Sequence, residues 1–419
     1  MTLAEKMPQF DTEHALIDAL LADIAVRVQL PASSHARAVD RYSTIRDWID
    51  RDGSPLKGRV HLMYPQGSMA TGTTISRHSE EEDFDIDIMV ELDPNASSDP
   101  QIVLDRLYES IRGEKGSRYF DMTTRNTRCV TVNYADMHLD ITPANRIPGP
   151  PRESLIFHHK PGAQPPQKMT IPANPYGFAQ WFCARTPFDP AFSKAFAGLA
   201  LNYDERMGRV LARAPGAPVP AQTPAYEKSV SVVALQLIKR WRNVRYGKRD
   251  RVPYKRIPSV VLSKFVADNA ALGRGLTQEL EHQLAQIAIL LEGHVRRQQL
   301  VHVVNPVSRN DVLTDRWPRS LEEQRVAAED FRKFGATIAA LRRGDFTLEE
   351  MRQVRGELFG EKPAAAVIET FKDKIIEQAR RRKLRFAPAT GAVAAPSVLS
   401  SMASSNPIAR HNNFGGDTG

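Results

Sequence analysis

The run DFDIDIMVEL places Asp83, Asp85 and Asp87 at every second position of a stretch otherwise rich in Ile, Met and Val. Aspartate is depleted from strands and seldom buried, so its regular presence here calls for a partner. In a strand, alternate side chains share a face; the aspartates then point one way while Phe84, Ile86 and Ile88 point the other. Like charges this close resist joint ionisation unless a counter-charge is supplied. Mg2+ suits them, because it is hard, takes oxygen ligands and commonly binds through one or two carboxylates plus substrate phosphates. MHLDITPA supplies a further acid, Asp140, on a second strand pattern whose Leu139 and Ile141 face away from it. Three carboxylates on adjacent strands can hold two metal ions, one lowering the pKa of an attacking hydroxyl and the other neutralising a departing pyrophosphate.

Gln66-Gly67-Ser68 follows a strand-like run at 60–64, where a turn or helix would begin. Backbone N–H groups and a hydroxyl at such a turn suit the β- and γ-phosphates of a nucleotide, and Gly67 permits close approach. Each piece alone has a plainer explanation: a Gly-Ser is usually a turn, and a D-x-D arises by chance roughly once in a chain this long. Their order is what points to a catalytic metal site: strand, Gly-Ser, strand with D-x-D, then a later strand aspartate.

The elements that must position these residues can be sketched from periodicity. Ile17, Leu20, Leu21, Ile24 and Val28 mark a helix near the N-terminus. Strands are expected at 60–64, 84–92, 128–134 and 137–142, with one helix at 101–111, giving an α/β (α+β) core. Pro-rich stretches at 148–175 and 214–224 read as loops. Beyond them nearly everything is helical: 226–242 is apolar almost all round, as in a central buried helix, and others are expected around 280–291 and 368–375. The expected division is 1–150 for N-terminal helices and core, 151–387 for a helical domain, and 388–419, rich in Ala, Ser, Pro, Gly and Asn, for a disordered tail.

Composition narrows the classes. With 419 residues, 42% hydrophobic and 25% charged, the chain is ordinary for a soluble protein of two packed domains. A net charge of +8 favours anionic partners. Two cysteines, Cys129 and Cys183, are too few for a disulfide framework or a Cys-rich zinc site, and both are expected as small buried thiols. His158-His159, set among prolines without Cys or carboxylate neighbours, reads as a surface loop. Neither a secretion signal nor a membrane span is visible, so a cytoplasmic location is expected.

Gly67-Ser68, Thr73 or Thr74, Asp85-Ile86-Asp87 and Asp140 before Thr142-Pro143-Ala144 resemble the nucleotidyltransferase superfamily of DNA polymerase β type. They most closely resemble the cGAS/DncV-like nucleotidyltransferases (CD-NTases) of bacterial CBASS anti-phage systems. Of the two overlapping D-x-D pairs, the second is followed directly by the apolar run and is taken as the metal-binding pair. The resemblance covers roughly 10–385 and implies a bilobed enzyme, with a polymerase-β-like core and mixed sheet packed against a helical domain. Its implied activity is a cyclic oligonucleotide synthase, using two Mg2+ ions, or Mn2+ in their place, to join nucleoside triphosphates, ATP among them, into a cyclic di- or trinucleotide second messenger. Asp85, Asp87 and Asp140 would be the catalytic metal ligands, and Gln66, Gly67, Ser68, Lys239 and Ser259 the substrate-binding residues. Lys239 also stands at the end of an apolar helix, where a charge calls for an anionic partner. The segment 304–317 is similar to the family too, although its residues suggest no role.

Two further expectations follow. Gly419 ends a flexible tail of the kind to which an ancillary CBASS protein could join another molecule; no nucleic-acid activator is indicated. The alternative to a cyclase is a template-independent nucleotidyltransferase acting on RNA or tRNA. It draws on 239–256, which holds nine Lys/Arg and one acid and could track a phosphate backbone, although no aromatic residues alternate with them as a stacking platform requires.

Overall fold

A computed structural model of the chain describes residues 15–76, 84–93, 98–149, 152–163, 167–199, 227–343 and 348–360, and three short strands beyond them. Two helices come first, α1 (Ala15–Val28) and α2 (Ala32–Ile49), followed by strand β1 (Val60–Pro65) and a one-turn helix α3 (Gly67–Ala70). Strand β2 (Phe84–Leu92) leads to helix α4 (Pro100–Arg112), whose start is fixed by Asp99: its side chain accepts from the N–H groups of Gln101 and Ile102, and Pro100 opens the first turn. Then come β3 (Thr123–Arg125), β4 (Val130–Asn133), β5 (Met137–Arg146), β6 (Ser154–His159) and β7 (Lys168–Ala173).

These seven strands form one mixed sheet in the order β1-β2-β5-β4-β3, with β6 on the end of β5 and β7 beyond β6. The central pair, β2 and β5, is parallel and sets Asp87 opposite Asp140. Alternation along β2 gives the sheet two different faces. Ile86, Ile88 and Val90 are fully buried in one apolar cluster with Val103, Leu104 and Leu107 of α4 and Tyr42 and Ile45 of α2. The other face carries Asp85, Asp87, Met89 and Glu91.

The helical part comprises α5 (Pro175–Arg185), α6 (Pro190–Leu199), α7 (Val230–Tyr246), α8 (Ser259–Asp268), α9 (Leu276–Arg296), α10 (Leu321–Arg343) and α11 (Leu348–Phe359), with a hairpin of β8 (Val304–Asn305) and β9 (Ser308–Val312) between α9 and α10. Thirteen consecutive residues of α7, Val230 to Arg242, are buried, so the expectation of a central helix holds. Its Trp241 stacks on Phe334 of α10 with ring centroids 4.6 Å apart.

Three differences from the expected organisation have simple causes. First, α1 does not join the sheet. Ile17, Leu20, Leu21, Ile24 and Val28 are buried with α6, α7 and α9 in the helical cluster, each contributing roughly 1.5–3 kcal/mol of burial, and β6 and β7 extend the sheet past residue 150; the two apolar clusters therefore do not divide at that position. Second, the Pro-rich stretch expected to be loop contains the β6-β7 hairpin. Most of its prolines lie before SLIFHH or between SLIFHH and KMTIPA, and the one inside a strand, Pro172, is on β7, which among the described strands pairs only with β6 and so tolerates a missing N–H. Third, the tail from 388 onward, expected to be disordered, contains β11 (Ala392–Ala394) and β12 (Asn406–Pro407), both paired with β10 (Arg385–Ala387), where Phe386 lies opposite Val393. The helix expected at 368–375, the linker at 214–224, Asp83 and Gly419 lie outside the described residues.

Candidate active site

The carboxylate face of the sheet and the helical part enclose a cavity of about 670 Å³. All eight residues singled out from the sequence line it: Gln66, Gly67, Ser68, Asp85, Asp87, Asp140, Lys239 and Ser259.

Gly67 explains the close fit of α3 against β2. It adopts φ +60°, and a Cβ there would collide with Asp87 Oδ2 and lie 3.2 Å from its Cγ, so neither the backbone conformation nor the space accommodates a side chain. The backbone N–H of Gln66 donates to the Asp87 carbonyl at 2.8 Å, joining the turn to the strand. Ser68 Oγ accepts from Thr74 Oγ1 at 3.2 Å, and Thr73 Oγ1 lies 2.9 Å from Thr71 Oγ1. Both candidate threonines therefore sit on this wall.

Asp85 is exposed and Asp87 half-buried. Burial, then the charges of Asp140 and Asp85, push the Asp87 carboxyl up to about 7, against a smaller pull from Lys239. Asp140 is held from the neighbouring strand: Thr131, its register partner on β4, donates to Oδ1, and Asn126 Nδ2 donates to Thr131 Oγ1 at 2.7 Å. Three acids line this one cavity, and burial together with the charges of Asp140 and Asp85 raises Asp87; an opposite charge would offset both effects, so they form a donor set suited to a divalent cation. Among the described residues no three or more His, Cys, Asp or Glu close into a ready-made metal cage. The open arrangement fits Mg2+, which keeps waters and takes phosphate oxygens alongside one or two carboxylates.

The helical wall is fastened to the turn by one face of α7. Gln236 Nε2 donates to the Thr74 carbonyl at 2.8 Å, Lys239 Nζ to the Thr73 carbonyl at 2.8 Å and Arg240 Nη2 to the Ser76 carbonyl at 2.6 Å, using the helical spacing of three and four residues. Lys239 is 4% exposed. Burial, reinforced by Arg242, pushes its ammonium down to about 7 despite the nearby Asp87. Ser259 is the first residue of α8, as expected, and its Oγ accepts from Arg242 Nη1 at 3.0 Å.

Sequence reasoning missed several lining residues. Arg128, Arg242, Arg256 and Arg316 add positive charge to the cavity wall, and Asn305 and Asp311 come from the β8-β9 hairpin. That gives the unexplained 304–317 segment its place: Asn305, Asp311, Leu313 and Arg316 from it line the cavity. Arg242, three residues after Lys239 and so on the same helical face, could have been anticipated; Arg128 and Arg316 carried no local signal.

Two other expectations need correction. His158 and His159 are not on a surface loop but on β6, where His158 Nδ1 accepts from Arg128 Nε at 3.1 Å and His159 is buried, 3.0 Å from Arg125 Nη2. Strand pairing draws them in, and an arginine meets Nδ1 of each. Cys183 is exposed on α5 rather than buried, and Cys129 is half-buried on the cavity wall. There, desolvation and Asp140 push the Cys129 thiol up to about 12, which leaves it a poor nucleophile.

A mixed sheet with carboxylates on two adjacent central strands, a Gly-Ser turn packed against one of them and a helical part closing the cleft define a nucleotidyltransferase of the polymerase-β type. A family model, the Second Messenger Oligonucleotide or Dinucleotide Synthetase domain, matches residues 17–149. The chain is 37% identical over 408 residues, 95% of its length and 94% of the relative's, to the cyclic dinucleotide synthase CdnG of Bradyrhizobium diazoefficiens. It is 23% identical to a c-di-GMP synthase of Roseivirga ehrenbergii, over 71% of this chain and 72% of that protein. The solved structure of the Bradyrhizobium CD-NTase CdnG in complex with GTP superposes with a TM-score of 0.69 at 35% identity, covering 85% of this chain and 99% of that one. The chain belongs to the CD-NTase family, and its activity is that of a nucleotidyltransferase building cyclic oligonucleotides from nucleoside triphosphates.

Proposed function

We propose that this protein joins two GTP molecules into cyclic di-GMP, with release of two pyrophosphates, in a reaction dependent on Mg2+. The observation that carries the reading is the convergence of Asp85, Asp87 and Asp140 with Gly67-Ser68 and Lys239 around one cavity. The choice of guanine is supported by the relatives, one a c-di-GMP synthase and another solved with GTP.

Asp85, Asp87 and Asp140 would hold the metal, which supplies Lewis-acid neutralisation of charge on the phosphates and the attacking hydroxyl. The chain's own residues do the rest. The backbone at Gly67-Ser68 and the Ser68 hydroxyl receive the triphosphate, with Lys239 and the arginines of the wall balancing its charge. Asp140, fixed by Thr131, takes the proton of a ribose hydroxyl as that oxygen forms its bond to the α-phosphorus and the bond to the β-phosphate oxygen breaks. A second round between the ends of the linear intermediate closes the ring.

In the cell the product would serve as a second messenger in anti-phage defence, with synthesis in the cytoplasm. Among the described residues, no helix is long and apolar enough to cross a membrane. The RNA-directed alternative is weakened, because five of the nine cations of 239–256 are engaged internally: Arg245 and Arg251 with Asp250 and Asp330, Arg242 with the Ile257 carbonyl, and Lys239 and Arg240 with the turn at 73–76.

The test is to incubate the purified protein with all four nucleoside triphosphates and Mg2+, then identify products by mass spectrometry. Cyclic di-GMP as the main product, lost on chelation of the metal, supports the reading. Extension of added RNA without any cyclic product would overturn it.

A further inference from the structure

Part of the cavity wall is apolar, lined by Met89, Ile156, Ala173, Pro175 and Leu313. Besides Asp85, Asp87 and Asp140, one further acid lines the cavity, Asp311 on β9. Asp311 Oδ2 accepts two hydrogen bonds, from the Asn174 backbone N–H at 2.8 Å and from Asn305 Nδ2 at 2.8 Å. The holding residues are themselves fixed. Asn305 is 1% exposed, and its Nδ2 donates also to the Asn174 carbonyl at 3.0 Å. The Asn174 side chain caps α5 by accepting from the Gly177 N–H at 2.8 Å. Gly177 needs to lack a side chain, since a Cβ would lie 2.8 Å from both Asn174 and Val307. The hairpin is thus seated on the start of α5, with the Asp311 carboxylate, a lining residue of the cavity, anchored through Oδ2.

Asp311 has no ion-pair partner among the described residues; the charged groups that act on it, Asp315 and Glu153, are acids. A carboxylate preset in an apolar wall is matched by a flat ligand that brings its own donors. Guanine does so with N1–H and the exocyclic 2-amino group side by side. Adenine and cytosine present a ring acceptor at the corresponding position, and uracil offers one N–H flanked by two carbonyls. We propose that Asp311 reads the Watson–Crick edge of a guanine, with Asn305 and Asn174 holding it in place. This rests on the nucleotide-joining function above and names the residue that selects its base.

Xanthine replaces the 2-amino donor of guanine by an oxygen acceptor, and Asp311→Asn replaces one carboxylate oxygen by an amide donor. The variant should therefore lose use of GTP by about 10²-fold and gain XTP, reversing the preference of the unmodified protein. Misfolding cannot produce such a gain. Inosine triphosphate, which lacks the 2-amino group, should be used and bound roughly tenfold less well than GTP by the unmodified protein, which needs no variant. Product ratios in competition and dissociation constants by calorimetry are both read, so base reading is scored even without turnover. An Asp311→Asn protein that keeps the GTP preference, or an unmodified protein that binds inosine triphosphate and XTP as well as GTP, overturns the proposal. Absence of any cyclic product from the unmodified protein, alongside selective guanine binding, overturns the proposed function and leaves the role of Asp311 standing.

Discussion

Replacing Gly67 with alanine separates backbone strain from active-site geometry, because Gly53 provides a matched control. Gly67 has φ +60° and Gly53 φ +77°, but a Cβ at Gly53 would meet nothing within 4 Å. Gly53→Ala should cost only the left-handed backbone penalty, roughly 1–2 kcal/mol, seen as a melting temperature lower by a few degrees. Gly67→Ala carries that same penalty and also drives its methyl into Asp87 Oδ2, with Cγ at 3.2 Å and Cβ at 3.4 Å behind it. The carboxylate must turn away or α3 must separate from β2 by around an ångström, and a displacement of that size at a reacting centre costs about 10²-fold in rate. The assay is steady-state pyrophosphate release from GTP and Mg2+, read beside thermal melts of both variants. Full turnover by Gly53→Ala with about 10²-fold loss in Gly67→Ala is the expected pair. Turnover by Gly67→Ala within threefold of the unmodified protein would refute the argument that this glycine sets the position of Asp87.

Asp85→Asn removes one of the charges that raise Asp87; it should lower product formation by at least about 10³-fold while leaving the melting temperature unchanged or higher, as titrating product against time and a melt would show. The same raised group gives a pH signature to the nucleotide-free protein. Asp87, raised from 3.8 to about 7, makes folding take up a proton between those values, so its contribution to stability falls as pH rises through that window. Lys228 and Lys239, lowered from 10.5 to about 7 by burial, make folding release protons above pH 7, so their contribution rises toward pH 10. Melts from pH 5.5 to 9 should show a dip near neutrality, shallower on the alkaline side in Lys239→Met; an unbroken decline with pH would contradict it. Arg152 pairs at 2.7 Å with Glu91, whose side chain is fully buried. Arg152→Ala should destabilise by up to about 3–5 kcal/mol in urea unfolding, and adding Glu91→Gln should recover much of that loss.

The parts of the site that were legible in the sequence are those where residue type conflicts with local surroundings. Aspartates alternating through an apolar strand, and a lysine at the end of an apolar helix, stand out because burying them needs a partner. The parts that were not legible depend on distant segments meeting. Nothing local to Gln236 or Arg240 announces that they hold Thr74 and Ser76 across more than 160 positions. Likewise Asp311 and Asn305 acquire meaning only when the Asn174 backbone meets them. The β6-β7 hairpin was obscured for another reason: prolines dominated the composition of 148–175, although Leu155, Phe157 and Ile171 carry strand character. Helix α1 was visible as a helix, but periodicity gives the width of its apolar face and not which layer covers it.

The central claim is that Asp85, Asp87 and Asp140 bring two nucleotides together for repeated phosphoryl transfer. It is tested most directly by giving α-labelled GTP and Mg2+ to the unmodified protein and to Asp85→Ala/Asp87→Ala, then treating both with phosphatase and separating the products. The expected result is a phosphatase-resistant labelled product of the mass of a cyclic dinucleotide, formed with two pyrophosphates per ring and absent from the double variant. The same product from both proteins, or label that stays phosphatase-sensitive in both, would contradict it.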